Sequence, residues 1–282
     1  MDHPSGPAPI ASGRPPDCGG PLPTGCGLLV VGHGTADPLG AAETRCLTAG
    51  VAAAVPSAPV TLGFLEVIGP SIGDALGELA ARGCREVVAS PLLLFAAGHA
   101  KRDVPEAIAA AAGRLGLVVR QAEPLGMHPA IVTLARDRRR EALAARGSRP
   151  LAETVLVMVG RGSSDPATPA QLEAFTRATL SGDPAPLRTL TGFVAAARPR
   201  LPEALAAAAA VPGVRQVLVQ PHLLFHGHVE EQVSAAVEEA RRQRPDIGWV
   251  QVGRLGPDPL VARAVVERAA ACRQPASPLD PA

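Results

Sequence analysis

The stretch Leu28-Leu-Val-Val-Gly-His-Gly-Thr35 decides the fold of this chain. Four consecutive branched apolar residues predict a buried strand, and the Gly-His-Gly that follows predicts a tight turn, since glycine leaves room close to the backbone. His33 is therefore expected just beyond the carboxyl end of a strand. Open α/β sheets build their binding sites at this edge, so the stretch predicts both a core element and a candidate functional residue.

Outward from this stretch, short apolar runs alternate with longer alanine- and leucine-rich segments. Such alternation predicts βαβ units and an α/β fold with a doubly wound, mostly parallel sheet. The predicted strands of the first half are 27–31, 58–65, 86–94 and 117–122, and its predicted helices are 38–55, 71–82, 103–115 and 129–145. The predicted strands of the second half are 154–159, 188–194, 215–224 and 248–252, and its predicted helices are 167–180, 200–211, 228–243 and 259–272. Each half is thus expected to hold a four-stranded sheet.

The second half repeats motifs of the first at an offset of 128 to 130 residues. Gly-His-Gly at 32–34 returns as Gly-Arg-Gly at 160–162, and Pro-Leu-Leu-Leu-Phe at 91–95 returns as Pro-His-Leu-Leu-Phe at 221–225. A period this long predicts a duplicated domain rather than a solenoid repeat. We expect two similar halves packed about a pseudo-two-fold axis with a cleft between them. The predicted segments are a disordered extension (1–25), an N-terminal domain (26–146), a linker (146–153), a C-terminal domain (154–272) and a tail (273–282).

The composition excludes several classes of function. A net charge of +1 and an aromatic content of 2% argue against nucleic-acid binding, which favours a basic face and stacking side chains. No apolar run is long enough for a membrane helix. The five cysteines are scattered and form no Cys-x-x-Cys pair, which predicts reduced thiols in the cytoplasm.

Three groups with metal-binding chemistry follow successive predicted strands of the first half. They are His33, Glu66 and His99, spaced 33 residues apart, so that three neighbouring loops each deliver one group. Two imidazoles and a carboxylate suit a divalent ion such as cobalt, iron, nickel or zinc. The alternatives are a histidine that only caps a loop and a solvated glutamate, but their joint placement favours a metal site in the N-terminal domain.

The second half departs from this pattern. Arg161 stands at the place of His33 and Ala195 at the place of Glu66, while His228 keeps the place of His99. An arginine does not ligate a metal, but its fork of donors suits carboxylates. With Lys101 and Arg102 on the loop of His99, these residues predict a site for an anionic ligand, although each could also be a solvated surface charge.

Other polar residues have simpler interpretations. His222 matches Leu92 and is predicted to be a packed histidine, while His128 and its counterpart Asp258 are predicted to cap helices. The His226-Gly-His228 pair is a weaker candidate for an auxiliary metal contact. The charged run at 136–141 is predicted to be the solvated face of a helix.

Gly-His-Gly-Thr, Gly-Phe-Leu-Glu, Pro-Leu-Leu-Leu-Phe with Gly-His and Asp-Val-Pro, and Leu-Gly-Met-His-Pro resemble, in their order, the CbiX-type sirohydrochlorin chelatases. These are the small class II chelatases of cobalamin and sirohaem synthesis, here in the long two-domain form over about 26–272. The resemblance implies insertion of Co²⁺ or Fe²⁺ into sirohydrochlorin without ATP and with no cofactor besides the substrate metal. It also implies that His33 and His99 are metal ligands, that Glu66 assists them, and that the second half is inactive.

Two other functions fit parts of the pattern. A non-catalytic protein could use the same ligands to store or deliver a metal or a tetrapyrrole. A histidine phosphatase also places a histidine after its first strand, but in Arg-His-Gly, and here Gly32 replaces the phosphate-binding arginine. The internal duplication predicts a monomer, whereas the physiological metal and the pathway stay open.

Overall fold

The computed structural model describes residues 25–95, 102–145 and 149–272. The strands of the first half are β1 (Cys26–Gly32), β2 (Val60–Phe64), β3 (Glu86–Pro91) and β4 (Val118–Gln121), and its helices are α1 (Pro38–Ala54), α2 (Ile72–Ala81), α3 (Asp103–Leu115) and α4 (Pro129–Ala145). The strands of the second half are β5 (Thr154–Gly160), β6 (Arg188–Phe193), β7 (Gln216–Pro221) and β8 (Gly248–Gln251), and its helices are α5 (Thr168–Leu180), α6 (Leu201–Ala209), α7 (His228–Gln243) and α8 (Pro259–Ala271). Residues 1–24 of the predicted extension (1–25), residues 146–148 of the predicted linker and the predicted tail (273–282) lie outside the described residues.

Both halves contain a parallel four-stranded sheet with the same topology. The strand order is β2-β1-β3-β4 in the first sheet and β6-β5-β7-β8 in the second. Because β1 lies between β2 and β3, the loops that follow these three strands emerge side by side at one edge. The predicted α/β class and the duplication are confirmed.

Local sequence explains where the helices begin. Asp37 caps α1 with its Oδ1, which accepts from the Gly40 amide at 2.7 Å, and Pro38 fits the first turn because that position needs no N–H donor. Ser71 and Asp74 form a capping box at the start of α2. These caps fix where each chain segment leaves the edge of the sheet.

Helices cover both faces of each sheet, and one hydrophobic core joins the halves. Leu29 of β1 faces the outer helices α2 and α3, whereas its neighbour Leu28 faces a core shared between the halves. That core includes Ile131 of the first half and Phe175 of the second. Helix α1 packs on α8, and α4 packs on α5 and α8. The α1–α8 and α5–α4 contacts are equivalent by the duplication, which gives the interface its pseudo-two-fold arrangement.

One prediction about the helices was wrong. The charged run at 136–141 does not form a wholly solvated face, because Arg139 of α4 is only 3% exposed. Its guanidinium crosses to the second half and donates to the Thr179 carbonyl at 2.6 Å and to Gln220 Oε1 at 3.1 Å. It also reaches Asp183 Oδ2 at 3.3 Å. The helix presents one of its arginines to the interface, where carbonyl and carboxylate oxygens replace water.

A second polar contact joins the halves at α1. Arg254 donates to the carboxylate of Glu43 on α1 and to both oxygens of Glu230 on α7, at 3.0 and 2.9 Å. All three side chains are largely buried. The guanidinium is therefore balanced by two carboxylates within the interface.

The described segments contain no helix with the length and apolar composition needed to cross a membrane. Cys46 and Cys84 are free thiols, and burial raises the pKa of Cys84. The thiols of Cys26 and Cys272 donate to backbone carbonyls.

Candidate metal site

Two of the predicted metal-binding groups meet at the edge of the first sheet. His33 follows β1, Glu66 follows β2, and Nε2 of the imidazole lies 3.0 Å from Oε1 of the carboxylate. The side chains are 44% and 58% exposed, so both are accessible to an ion or a large ligand. The structure thus brings together two of the three residues that the sequence predicts for the metal site.

The backbone of Gly34 makes this approach possible. Its φ is +102°, and a Cβ added there would lie 1.9 Å from the carbonyl oxygen of Glu66. The loops are joined by the Glu66 amide, which donates to the His33 carbonyl at 3.1 Å, and by the Leu65 amide, which donates to the Gly32 carbonyl at 2.9 Å. A side chain at position 34 would force the two loops apart.

Val67, the residue that follows Glu66 in the chain, also has a positive φ, of +70°. This conformation is costly for a β-branched residue. Val67 is 63% exposed, so its side chain contributes little packing to offset the strain. Strained backbone of this kind is concentrated at functional sites.

The second half has the same backbone without the metal-binding groups. The Ala195 amide donates to the Arg161 carbonyl at 2.8 Å, the counterpart of the Glu66–His33 bond. Gly162 has φ +89°, and a Cβ there would lie 1.8 Å from the Ala195 carbonyl oxygen. The predicted equivalence of Arg161 with His33 and of Ala195 with Glu66 is confirmed, and this pair of positions offers no imidazole or carboxylate.

The remaining predicted site residues are placed only in part. His99 and Lys101 lie outside the described residues. Arg102 is exposed at the start of α3, Arg161 is exposed beyond β5, and His228 is exposed as the first residue of α7. These three exposed side chains all follow carboxyl ends of strands, which is where the prediction placed them.

A family model named CbiX matches the chain twice, over residues 27–142 and 155–272. The chain belongs to the CbiX family. The two matches coincide with the two sheets and their helices, so each half is a CbiX domain.

Relatives of this CbiX chain carry two related names. A protein named sirohydrochlorin cobaltochelatase, from Priestia megaterium, is 27% identical over 244 residues, which are 86% of this chain and 78% of that protein. A sirohydrochlorin ferrochelatase from the same organism is 33% identical over 177 residues, 62% of this chain and 64% of that protein. The solved structure of SirB from Bacillus subtilis with Fe³⁺ covers 88% of this chain and 95% of its own, with a TM-score of 0.77 at 24% identity. This structural likeness shows that the two CbiX domains share the fold of that protein.

Two other histidines of the CbiX chain have structural roles, as predicted. His222 is buried against Phe175 and Phe95, with ring centroids 4.0 and 5.0 Å away, and burial lowers its pKa to about 3. The Nδ1 of His128 accepts from the Ala130 amide in the first turn of α4, and its Nε2 lies 3.0 Å from Glu267 Oε2. Burial is also the main cause that lowers the pKa of His128.

The His226 and His228 side chains have different surroundings. Nδ1 of His226 lies 3.1 Å from Oδ1 of Asp37 in the first half, and the imidazole is 25% exposed. The imidazole of His228 is 79% exposed and lies 3.6 Å from Glu231. Sequence reasoning missed the contact with Asp37, because it connects residues of different halves at positions where the duplication is not symmetric.

Proposed function

We propose that this protein inserts a divalent metal, Co²⁺ or Fe²⁺, into sirohydrochlorin. The observation that carries the proposal is the accessible His33–Glu66 pair at the edge of the first CbiX sheet. Membership of the family and the names of two relatives support the same reaction, and these names include both metals.

The reaction exchanges protons for a metal. Two pyrrole N–H protons leave the macrocycle as the dication enters, so the ring and ion together lose two positive charges, and the two released protons carry these charges to an acceptor. In the proposal, His33 and His99 hold the incoming ion through neutral imidazole nitrogens, and Glu66 accepts protons from the ring and passes them to water. The 3.0 Å separation of His33 Nε2 and Glu66 Oε1 places ligand and base close enough to act on one ring nitrogen.

The proposed substrate is rich in carboxylates, and the basic loop residues have the chemistry to bind them. Arg161 offers a fork of donors at the place where the first half has its imidazole. Lys101, Arg102 and His228 are proposed to bind further carboxylates around the rim. In this arrangement the first half holds the metal, and basic residues of both halves hold the ring.

We further propose that the reaction needs no cofactor besides the substrate metal and that the protein works as a monomer in the cytoplasm. The shared core supports the monomer, because each half already buries its helices against the other. The free thiols of Cys46 and Cys84 support a reducing compartment.

The experiment is to mix the protein with sirohydrochlorin and Co²⁺ or Fe²⁺ and to follow metal insertion by the absorption spectrum. We expect insertion faster than in the protein-free control, and a loss of about 100-fold or more in His33→Ala and in Glu66→Gln. Binding of metal and macrocycle without faster insertion would instead identify a carrier. Unchanged rates in both variants would contradict the proposed site.

A further inference from the structure

A second cluster of metal-binding groups, made of other residues than the His33–Glu66 pair, lies at the junction of the two halves. Asp37 belongs to the start of α1 in the first half, while His226 precedes α7 and Glu231 lies in its first turn in the second half. Each residue offers one ligand atom, and these three atoms lie within 4.8 Å of one another. We propose that Asp37, His226 and Glu231 form a second divalent-cation site, which ties the two halves of the chain together.

The contact between His226 and Asp37 is not aligned as a hydrogen bond, and its length also fits two ligands of one ion. Nδ1 of His226 and Oδ1 of Asp37 are 3.1 Å apart, yet Nδ1 is buried and has no aligned hydrogen-bond partner. Ligand atoms held about 2.0 to 2.2 Å from one ion lie roughly 3 to 3.5 Å from each other. An ion between the two atoms would satisfy the buried nitrogen, which the present contact does not.

The charges at the junction also favour a cation. Asp37 and Glu231 place two carboxylates within 4.8 Å of an imidazole nitrogen of His226. Arg254, a positive charge of the same interface, is already balanced by Glu43 and Glu230. Two carboxylates and one imidazole then suit a borderline divalent ion such as Co²⁺, Fe²⁺ or Zn²⁺.

The loop that carries His226 is held firmly against α1. The His226 amide donates to Glu43 Oε2 at 2.8 Å, and a Cβ added to Gly40 would lie 2.4 Å from the His226 carbonyl oxygen. Two of the three ligands are thus positioned by backbone contacts before an ion binds. Glu231 is exposed and can rotate toward the ion to complete the set.

The duplication supplies an internal comparison. The counterpart of Asp37 is Asp165, but the loop that corresponds to 225–228 has the sequence Phe-Ala-Ala-Gly-His over 95–99, with no imidazole at the place of His226. Arg102 stands where the second half has Glu231. The three ligands therefore occur together at only one of the two equivalent junctions. A substitution of Asp165 is for this reason a matched control for the same substitution of Asp37.

The new site would lie close to the proposed catalytic one. His33 and Asp37 are four residues apart, so their Cα atoms cannot be separated by more than about 14 Å. The ligands of the proposed catalytic site must therefore be substituted before the number of ions bound at the junction is measured. The His33→Ala/His99→Ala background does this, and it makes the outcome independent of whether the protein is a chelatase.

The experiment is a calorimetric titration with Co²⁺ alone. We expect two equivalents to bind to the original protein, one to the His33→Ala/His99→Ala background, and none when His226→Asn or Asp37→Asn is added to that background. Asn at position 37 keeps the helix cap, and Asn at position 226 keeps an amide donor, so both variants are expected to fold. The matched control, Asp165→Asn in the same background, should keep its one equivalent.

A second readout reports whether the ion joins the halves. Because the folded protein alone holds the site, Co²⁺ at a hundredfold excess over its Kd should raise the unfolding midpoint of the His33→Ala/His99→Ala protein by about 5 to 10 °C. The same addition should not move the midpoint once His226→Asn is present. Absence of binding in the background, or binding that His226→Asn leaves unchanged, would overturn the proposal.

Discussion

At the scale of single residues, the candidate site depends on the missing side chain of Gly34. We predict that Gly34→Ala separates His33 from Glu66, since the added methyl would lie 1.9 Å from the Glu66 carbonyl oxygen at a φ of +102°. The expected result is a loss of about 100-fold in kcat/KM for Co²⁺ insertion, because small misplacements of reacting groups are costly. Steady-state rates with varied Co²⁺ measure this.

The second half provides the control for this substitution. Gly162→Ala introduces the same clash, at 1.8 Å from the Ala195 carbonyl oxygen, but it separates no metal-binding groups. Both variants should lose about 1 to 3 kcal/mol of unfolding free energy because of backbone strain. Equal losses of kcat/KM for Co²⁺ in the two variants would show that the effect of Gly34→Ala is only a loss of stability.

His222 gives a second prediction at this scale, concerning pH. Its pKa falls from 6.5 to about 3 in the folded state because of burial, so the unfolded chain binds a proton that the folded chain does not. Stability from the neutral ring is present above pH 6.5 and is lost as the pH falls toward 3. Between pH 6.5 and pH 5 the free energy of unfolding contributed by His222 falls by about 2 kcal/mol.

We predict that His222→Leu removes this contribution, since Leu92 occupies the equivalent position in the first half. Denaturant unfolding at pH 7 and pH 5 should show a smaller difference for the variant than for the original protein. Some difference will remain, because burial lowers the pKa of His128 in the same direction. An unchanged difference would contradict the assignment to His222.

These residues also show how far sequence reasoning reaches. The convergence of His33 and Glu66 was predictable, because parallel strands place their ends at one edge and the residues follow neighbouring strands. The packing of His222 was predictable from its apolar counterpart. The Asp37–His226 contact was not, because it depends on how two halves dock, and no local pattern encodes that.

At the scale of elements, most bounds followed from caps and apolar periodicity, and two strands end earlier than predicted for the same reason. The strands predicted over 86–94 and 215–224 end at Pro91 and Pro221. The apolar residues beyond them, such as Leu94 and Leu224, pack into the core between the halves instead of the sheet. An apolar run alone does not distinguish these two kinds of burial.

Helix α4 shows that a run of charged residues is equally ambiguous, because the sequence does not indicate which of its side chains are buried. We expect Arg139→Ala to lower the free energy of unfolding by about 3 to 5 kcal/mol, because it leaves interface acceptors without their buried partner. Arg140→Ala is the matched control, since Arg140 is 58% exposed and should contribute less than about 1 kcal/mol. Chemical denaturation of both variants measures the difference, and similar losses would contradict the role of Arg139.

At the scale of the whole molecule, the duplication was evident from sequence, but the interface was not. The offset of 128 to 130 residues predicts two similar domains. Each polar contact described above includes at least one residue that the repeat does not keep, such as Arg254, whose counterpart under the offset of 130 is Pro124. Divergence between the halves therefore conceals the contacts from any comparison of one half with the other.

Covalent joining of the two domains has a stereochemical consequence. Two identical subunits must present identical walls to a flat ligand held on their axis, whereas here Arg161 and Ala195 replace the imidazole and carboxylate on one side. In the proposed reaction, a planar ring held between the two halves receives its ion through the face turned toward His33 and Glu66. A chiral ring would then sit in one orientation only, with the same edge always turned toward the solvent.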